Sequence, residues 1–364
     1  MKKQTILLLF GGRSPEHEVS LVSALGILSN ISRDKYDILP VKISKNGRWM
    51  LLDPLHLKER VDDLAKAEGP PVLMGDPSLN GLYISEGDRG GQVLPVDVIF
   101  PVLHGPFGED GTVQGLASLS GLPCVGAGVL GSALGMDKVM MKQLFIQNDL
   151  DTADFIWFLR GAWKKEPEAI LRGVREAIGY PCFVKPANAG SSVGVSKAGD
   201  EDRLRAAVDL AGEYDRKILI EKAVNARELE CAVLGNDTPE ASIVGEIIPC
   251  NEFYDYKAKY EDEKSEIVIP ADIDSDLADR IRYRAVAAFK ALDCAGMARV
   301  DFLLEKESNH IYLNEINTIP GFTPISMYTK LWEAVGISYP DLIDRLIQLA
   351  VDRHQDIQLS KFYR

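Results

Sequence analysis

Two carboxylates and a carboxamide in the C-terminal part of the chain carry the first chemical signal. The stretch "MARVDFLLEKESNHIYLNEIN" reads as two strands joined by a polar five-residue turn over 306–310, a common hairpin length. If that hairpin is centred on Ser308, Asp301 lies opposite Glu315 and Arg299 opposite Asn317. Directly opposed side chains have Cβ atoms about 5 Å apart, and carboxylates that close repel unless a proton or cation sits between them. Oxygen ligands from Asp, Glu and Asn, without His or Cys, suit Mg²⁺ or Mn²⁺, usually shared with a substrate phosphate. The same spacing also fits a neutralised surface ladder with Arg299 as counter-ion. Strict alternation along the second strand puts Leu313, Glu315 and Asn317 on one side, Tyr312, Asn314 and Ile316 on the other.

Other stretches could handle anions. "KPANAGSSVGVSKA" offers flexible backbone N–H groups and two hydroxyls beside Lys185, a suitable cradle for phosphates. It is not a P-loop, because GxxxxGK[ST] is absent, and by itself it fits a plain hairpin turn equally well. Gly11-Gly12 lacks the third glycine of a dinucleotide fingerprint. Glu16 falls one residue into a predicted helix, where the dipole stabilises an anion, although a simple capping charge has the same signature. His104 follows a buried strand and reads equally as a satisfied turn histidine.

The elements that must position these residues alternate strand, loop and helix. "TILLLFGGRSPEHEVSLVSALGILSNI" predicts a strand, a glycine turn and a helix, with Ser14 as N-cap, Pro15 at the first helical position, and an apolar stripe of Val19, Val22, Leu25 and Leu28. A buried strand follows at 96–105, a helix at "VQGLASLSG" and a short third strand at "PCVG". A second unit opens near "GMDKVMMKQLF" and runs through a helix at 166–178, the strands "PCFVKP" and "VSKA", and a further helix and strand to "ILIEK". From Glu228 the strands lengthen, and Leu277, Ile281, Ala285, Ala288 and Leu292 share one face of a later helix.

The whole chain has 364 residues, room for two or three domains. A net charge of −13 argues against a general nucleic-acid or membrane-surface binder, which would need basic surface. The five cysteines are odd in number and never spaced CxxC, which points to reduced core thiols in a cytoplasmic protein, not to zinc or disulfides. No segment approaches the roughly 18 apolar residues of a membrane span.

Taken together, "GGRSPEHEVSL", "LHGPFGEDGTVQG", "MDK", "FVKPANAGSSVGVSK", "EFYDYKAKY", "GMARVDF" and "NEINTIPGFTPIS" resemble, in order, the motifs of the ATP-grasp enzymes, and specifically the D-alanine–D-alanine ligases. The resemblance implies an ATP-grasp fold, α/β with an α+β C-terminal part, preceded by a Rossmann-like parallel α/β domain. It divides the chain into an N-terminal substrate-binding domain (1–130), a central ATP-grasp subdomain (131–222) and a C-terminal one (223–364) with a lid over 251–266. It implies ATP and two Mg²⁺ (or Mn²⁺) as cofactors, D-alanine as substrate, and a homodimer. Lys138, Lys185 and Lys259 then match the lysines around the phosphates, and Glu221, Lys222 and Glu228 the adenine and ribose contacts. Asp301, Glu315 and Asn317 match the metal ligands. Glu16 matches the group holding the first substrate's ammonium, bonded to Ser191 and through it to Tyr260 on the lid. Arg299 and the Gly321 N–H match an oxyanion hole, Ser326 a contact to the second substrate's carboxylate, and His104 a group lining that subsite. A D-alanine–D-lactate ligase, or another ATP-grasp carboxylate–amine ligase, is the alternative.

Overall fold

The computed structural model describes residues 2–53, 70–249 and 266–361. Strands β1 (Gln4–Gly11), β2 (Tyr36–Ile43), β3 (Trp49–Leu51), β4 (Pro71–Leu73), β5 (Gly81–Ile84), β6 (Val93–Pro95) and β7 (Val98–Val102) build the N-terminal part. A four-stranded sheet has the order β3-β2-β1-β7, with β1 parallel to both neighbours and β3 antiparallel at the edge. Its central strand is almost wholly apolar because both faces are covered. Ile6, Leu8 and Phe10 enter one core, while Leu7 and Leu9 enter another with Val41, Leu82 and Val113. Strands β4 to β6, three or four residues each, form a small antiparallel sheet over the second core; their brevity left no period to read.

Local expectations near the first helix need adjustment. The helix spans His17–Asn30 with Glu16 at its N-cap position, so Ser14 is not the cap. Ser14 Oγ instead donates to the His104 carbonyl and accepts the Glu16 N–H at 3.1 Å, tying the loop to β7 before the helix begins. Val22 is exposed, so the buried stripe is narrower than the spacing suggested. "PCVG" forms no strand: Cys124 makes a single bridge to Ile99.

The central sheet contains β8 (Phe155–Leu159), β9 (Cys182–Pro186), β10 (Ser196–Ala198) and β11 (Lys217–Lys222), in the order β10-β9-β11-β8 and antiparallel throughout. Helices Pro167–Ala177 and Glu201–Tyr214 cover it and share a separate core. The last sheet contains β12 (Ala226–Gly235), β13 (Glu240–Ile248), β14 (Glu266–Val268), β15 (Gly296–Glu305) and β16 (Ile311–Asn317), antiparallel in the order β14-β13-β12-β15-β16. Leu277, Ile281, Ala285, Ala288 and Leu292 of helix Ser275–Ala291 and its C-cap are all buried against one face, as the periodicity predicted. Helices Met327–Ala334 and Tyr339–Gln358 pack on the other face and reach the N-terminal sheet, so one core joins both ends of the chain. The fold is mixed α/β, parallel at the start and antiparallel at the end.

The hairpin register answers the first expectation. Arg299 pairs Asn317, Val300 pairs Ile316, and Asp301 pairs Glu315. Beyond Asp301 the register shifts, with Phe302 facing Leu313, so Asn314 is the extra residue of a β-bulge. The bulge breaks strict alternation: Leu313 and Ile316 enter the same core, and Leu313 does not share a face with Glu315.

Candidate active site

A row of carboxylates crosses three adjacent strands. Glu230 of β12 faces Asp301 of β15, which faces Glu315 of β16. The charges are balanced from within the site. Arg299 donates through Nε and Nη2 to both Asp301 oxygens at 2.7 Å, and its Nε lies 3.1 Å from Glu230 Oε2. Burial works against the guanidinium's charge, but Asp301 and Glu230 outweigh it and hold its pKa well above the ordinary value. Lys138 Nζ lies 3.2 Å from Glu315 Oε2 and donates to the Ala189 carbonyl at 3.0 Å. Lys138 thereby joins the glycine loop to the hairpin. Asn317 Oδ1 accepts the Ile319 N–H at 3.1 Å.

Among the described residues no group of three or more His, Cys, Asp or Glu gathers at metal-binding distance. The third donor in register here is an amide oxygen, from Asn317, and the set is hard and partly exposed. That chemistry fits Mg²⁺ or Mn²⁺, with Arg299 and Lys138 giving up part of their hold on the carboxylates.

In the central sheet, Glu221 of β11 is 2% exposed and bound on each oxygen by a different lysine. Lys185 of β9 meets Oε1, and Lys142 Nζ lies 3.1 Å from Oε2. Burial would raise the Glu221 pKa, but the two lysines outweigh it and bring it down to about 2. For Lys185 burial likewise opposes the charge, and Glu221 with Glu315 keeps its pKa raised. Lys142 follows Lys138 by one turn on helix Lys138–Gln147, whose N-cap Asp137 accepts the N–H groups of Val139 and Met140 at 3.1 Å. The sequence reading missed Lys142; the four-residue spacing from Lys138, which places both on one helical face, could have found it. Glu228 sits two residues before Glu230 on β12, and Lys222 is exposed at the end of β11.

Glu16 marks the opposite wall. Ser191 Oγ donates to Glu16 Oε1, across 175 positions of sequence. Two glycines make this approach possible. A Cβ on Gly190 would stand 2.2 Å from Glu16 Oε2, and one on Gly105, whose φ is +73°, 2.5 Å from the same oxygen. His104 is buried, with Nδ1 3.0 Å from the Ile319 carbonyl and Nε2 3.0 Å from Ser23 Oγ. Burial pulls its pKa down, but Glu109 and the charge of Glu16 prevail and leave it raised. Ser23, also unread in the sequence, accepts the Phe322 N–H at 3.1 Å, so His104 and Ser23 fix the loop after β16. In that loop Gly321 lies against Ser326, whose Oγ accepts the Thr323 N–H at 3.0 Å.

Fourteen of the expected residues therefore fall in four linked clusters or on their bounding strands. Lys259, Tyr260 and the expected lid, apart from Glu266, lie outside the described residues, as does Cys250. The other four cysteines are free thiols, three of them buried; burial pushes Cys231 and Cys294 up to about 12, out of reactive range.

Residues 5–127 match the family model described as D-ala D-ala ligase N-terminus, and residues 144–348 the one described as D-ala D-ala ligase C-terminus. The chain is 50% identical to the D-alanine–D-alanine ligase of Acetivibrio thermocellus, with 97% of each chain covered. It is 52% identical to that of a Thermoanaerobacter species, over 98% of this chain and 99% of the relative. Among solved structures, the D-alanine–D-alanine ligase from Coxiella burnetii superposes with a TM-score of 0.87 at 36% identity, covering 99% of this chain and 97% of that one. The VanG D-Ala:D-Ser ligase from Enterococcus faecalis superposes at 0.85 and 37% identity, covering 96% and 100%.

Proposed function

The chain belongs to the D-alanine–D-alanine ligase family and joins two D-alanines with conversion of ATP to ADP and phosphate, and from that premise we propose how its own residues carry the reaction. The observation that carries the reading is the double reach of Lys138, to the glycine loop at Ala189 and to Glu315 in the paired carboxylate row. That contact supports a reading in which the glycine loop cradles phosphate beside a platform for hard cations.

In this reading Lys138, Lys185 and Lys259 surround the ATP phosphates, while Glu221, Lys222 and Glu228 hold the adenine and ribose. Asp301, Glu315 and Asn317 would hold two Mg²⁺ (or Mn²⁺) ions, which would supply positive charge to offset the anionic phosphates and carboxylate. Glu16 holds the first D-alanine's ammonium and also orients Ser191, which in turn bonds Tyr260 of the lid. The first carboxylate takes the γ-phosphoryl group, and the amine of the second D-alanine displaces phosphate from the acyl phosphate. Arg299 and the Gly321 N–H stabilise the oxyanion of that displacement, a role worth roughly 10²–10³ in rate per donor in comparable sites. Ser326 binds the second carboxylate and His104 lines its subsite. Exclusion of water by the segment around 251–266 protects the acyl phosphate. In this reading the chain works in the cytoplasm as a homodimer and makes peptidoglycan precursors; no helix among the described residues is long and apolar enough to cross a membrane.

The test is phosphate release with ATP and Mg²⁺ across D-alanine, L-alanine, D-lactate and D-serine, for wild type, Asp301→Asn and Glu315→Gln. The expected result is release with D-alanine alone, and a fall of about 100-fold or more in both variants when the metal loses ligand charge. Wild type that prefers D-lactate or D-serine as second substrate overturns the dipeptide assignment. Near-normal turnover in both variants at saturating Mg²⁺ overturns the metal platform.

A further inference from the structure

Two lysines converge on one buried carboxylate, and they are not equivalent. Lys185 keeps 14% of its side chain exposed toward the cleft, whereas Lys142 keeps 2% and the Glu221 it binds keeps 3%. Lys142 is anchored from below, with its ammonium 6.0 Å from the centre of the Phe155 ring. A single counter-ion would be enough for one carboxylate. The second becomes necessary only if the first has to leave, because a buried carboxylate stripped of its partner is strongly disfavoured.

We propose that Lys142 is a positioning residue for nucleotide binding: it is the resident counter-ion of Glu221, and it frees Lys185 to turn from Glu221 to the ATP phosphates. The inference rests on the reading above, in which Lys185 meets phosphate and Glu221 the base. With Lys142 in place, Glu221 stays ionised when Lys185 moves, and remains an acceptor with no proton to offer. A base presenting an exocyclic amino group at that point is then accepted, and one presenting a carbonyl oxygen is repelled. Burial lowers the Lys142 pKa and the charge of Lys185 adds to that effect, while Glu221 and, less strongly, Glu315 oppose it.

The experiment measures calorimetric binding of a non-hydrolysable ATP analogue with Mg²⁺, together with KM for ATP and for D-alanine. Four proteins are compared: wild type, Lys142→Met, Glu221→Gln and the double variant. Wild-type binding tests the parent reading alone, since failure there says nothing of Lys142. In Lys142→Met, Lys185 is the sole partner of Glu221 and stays on it. Analogue affinity falls at least tenfold, KM for ATP rises with it, and KM for D-alanine stays within twofold. In the double variant the buried anion is gone, Lys185 is released, and affinity recovers at least fivefold over Lys142→Met. Wild-type affinity in Lys142→Met, or a double variant no better than it, overturns the proposal. If Lys142→Met does not fold, Glu221→Gln against the double variant decides. With Glu221 neutral, Lys142 has no charge to balance, so the two bind within twofold; a further tenfold loss in the double variant overturns the proposal.

Discussion

Three carboxylates of this site each answer to a cation within a few ångströms. Asp301 is clamped by Arg299, Glu315 by Lys138, and Glu221 by Lys142 and Lys185. The Glu221 cluster has a consequence for acid stability. Its carboxyl sits at about 2 in the folded protein against an ordinary 4.5. A depressed carboxyl contributes stability that is fully present above the unfolded value and is lost as pH falls through the folded one. The window is therefore pH 4.5 down to 2, and the contribution is roughly 3 kcal/mol. Glu221→Gln should be less stable than wild type at pH 6, because two lysines lose their anion, yet lose roughly 2 to 3 kcal/mol less on going to pH 2.5. Urea unfolding at pH 6, 4 and 2.5 reads this directly, and parallel acid profiles for the two proteins would refute it. The types and order of these residues were legible in the chain, because motifs name residues. Lys142 was legible only through its four-residue spacing from Lys138; Ser23 and Glu230 were not legible, because nothing local separates a buried serine or glutamate on a half-apolar element from a surface one.

At the scale of elements, the hairpin shows how a correct pairing can rest on an incomplete picture. Centring the turn on Ser308 put Asp301 opposite Glu315, and the strands do pair there. Near the turn, however, Leu304 faces Ile311 and Leu303 faces Tyr312, a register one residue shorter, and Asn314 absorbs the difference. Removing Asn314 would leave a regular ladder in which Glu315 still faces Asp301 and the apolar residues still point inward. Deletion of Asn314 should therefore preserve the melting temperature within a few degrees. It should also cut kcat by about tenfold or more, because the bulge re-aims the strand end that carries Glu315 and Asn317, and displacements near 1 Å at a reacting centre cost up to 10²-fold. Full activity in the folded deletion variant would show that the bulge does not aim the site. The bulge left one trace that strict alternation overlooked: two adjacent polar residues, Asn314 and Glu315, stand between Leu313 and Ile316, which enter the same core.

Across the whole molecule, the ends of the chain share one core and the middle has its own. Ile6, Leu8, Phe10 and Phe100 of the N-terminal sheet pack with Phe322, Tyr328, Trp332 and Leu346 from the far end of the sequence, and the Phe100 and Phe322 rings meet edge-on at 5.9 Å. Phe158, Val184, Leu204 and Ile220 belong to a separate cluster under the central sheet. Separate cores open separately. Native-state hydrogen exchange should show β8, β9 and β11 opening as one unit with its own denaturant dependence, while β1, β7 and β12 open together at a higher free energy. A single common dependence for all six strands would contradict this division.

The sequence by itself determined the alternation of elements, the apolar faces and the inventory of chemical groups, since each depends on residue type and on spacing within one element. It also carried the family's motifs in order, and with them the reaction. What only the tertiary structure decided is which groups share a charge. Ser191 and Glu16 meet across 175 positions, Lys138 spans the glycine loop and the hairpin, and one buried carboxylate takes two lysines from different elements. Those contacts depend on how sheets and helices pack, and a Coulomb interaction depends on distance through space, so it leaves no periodic trace along the chain.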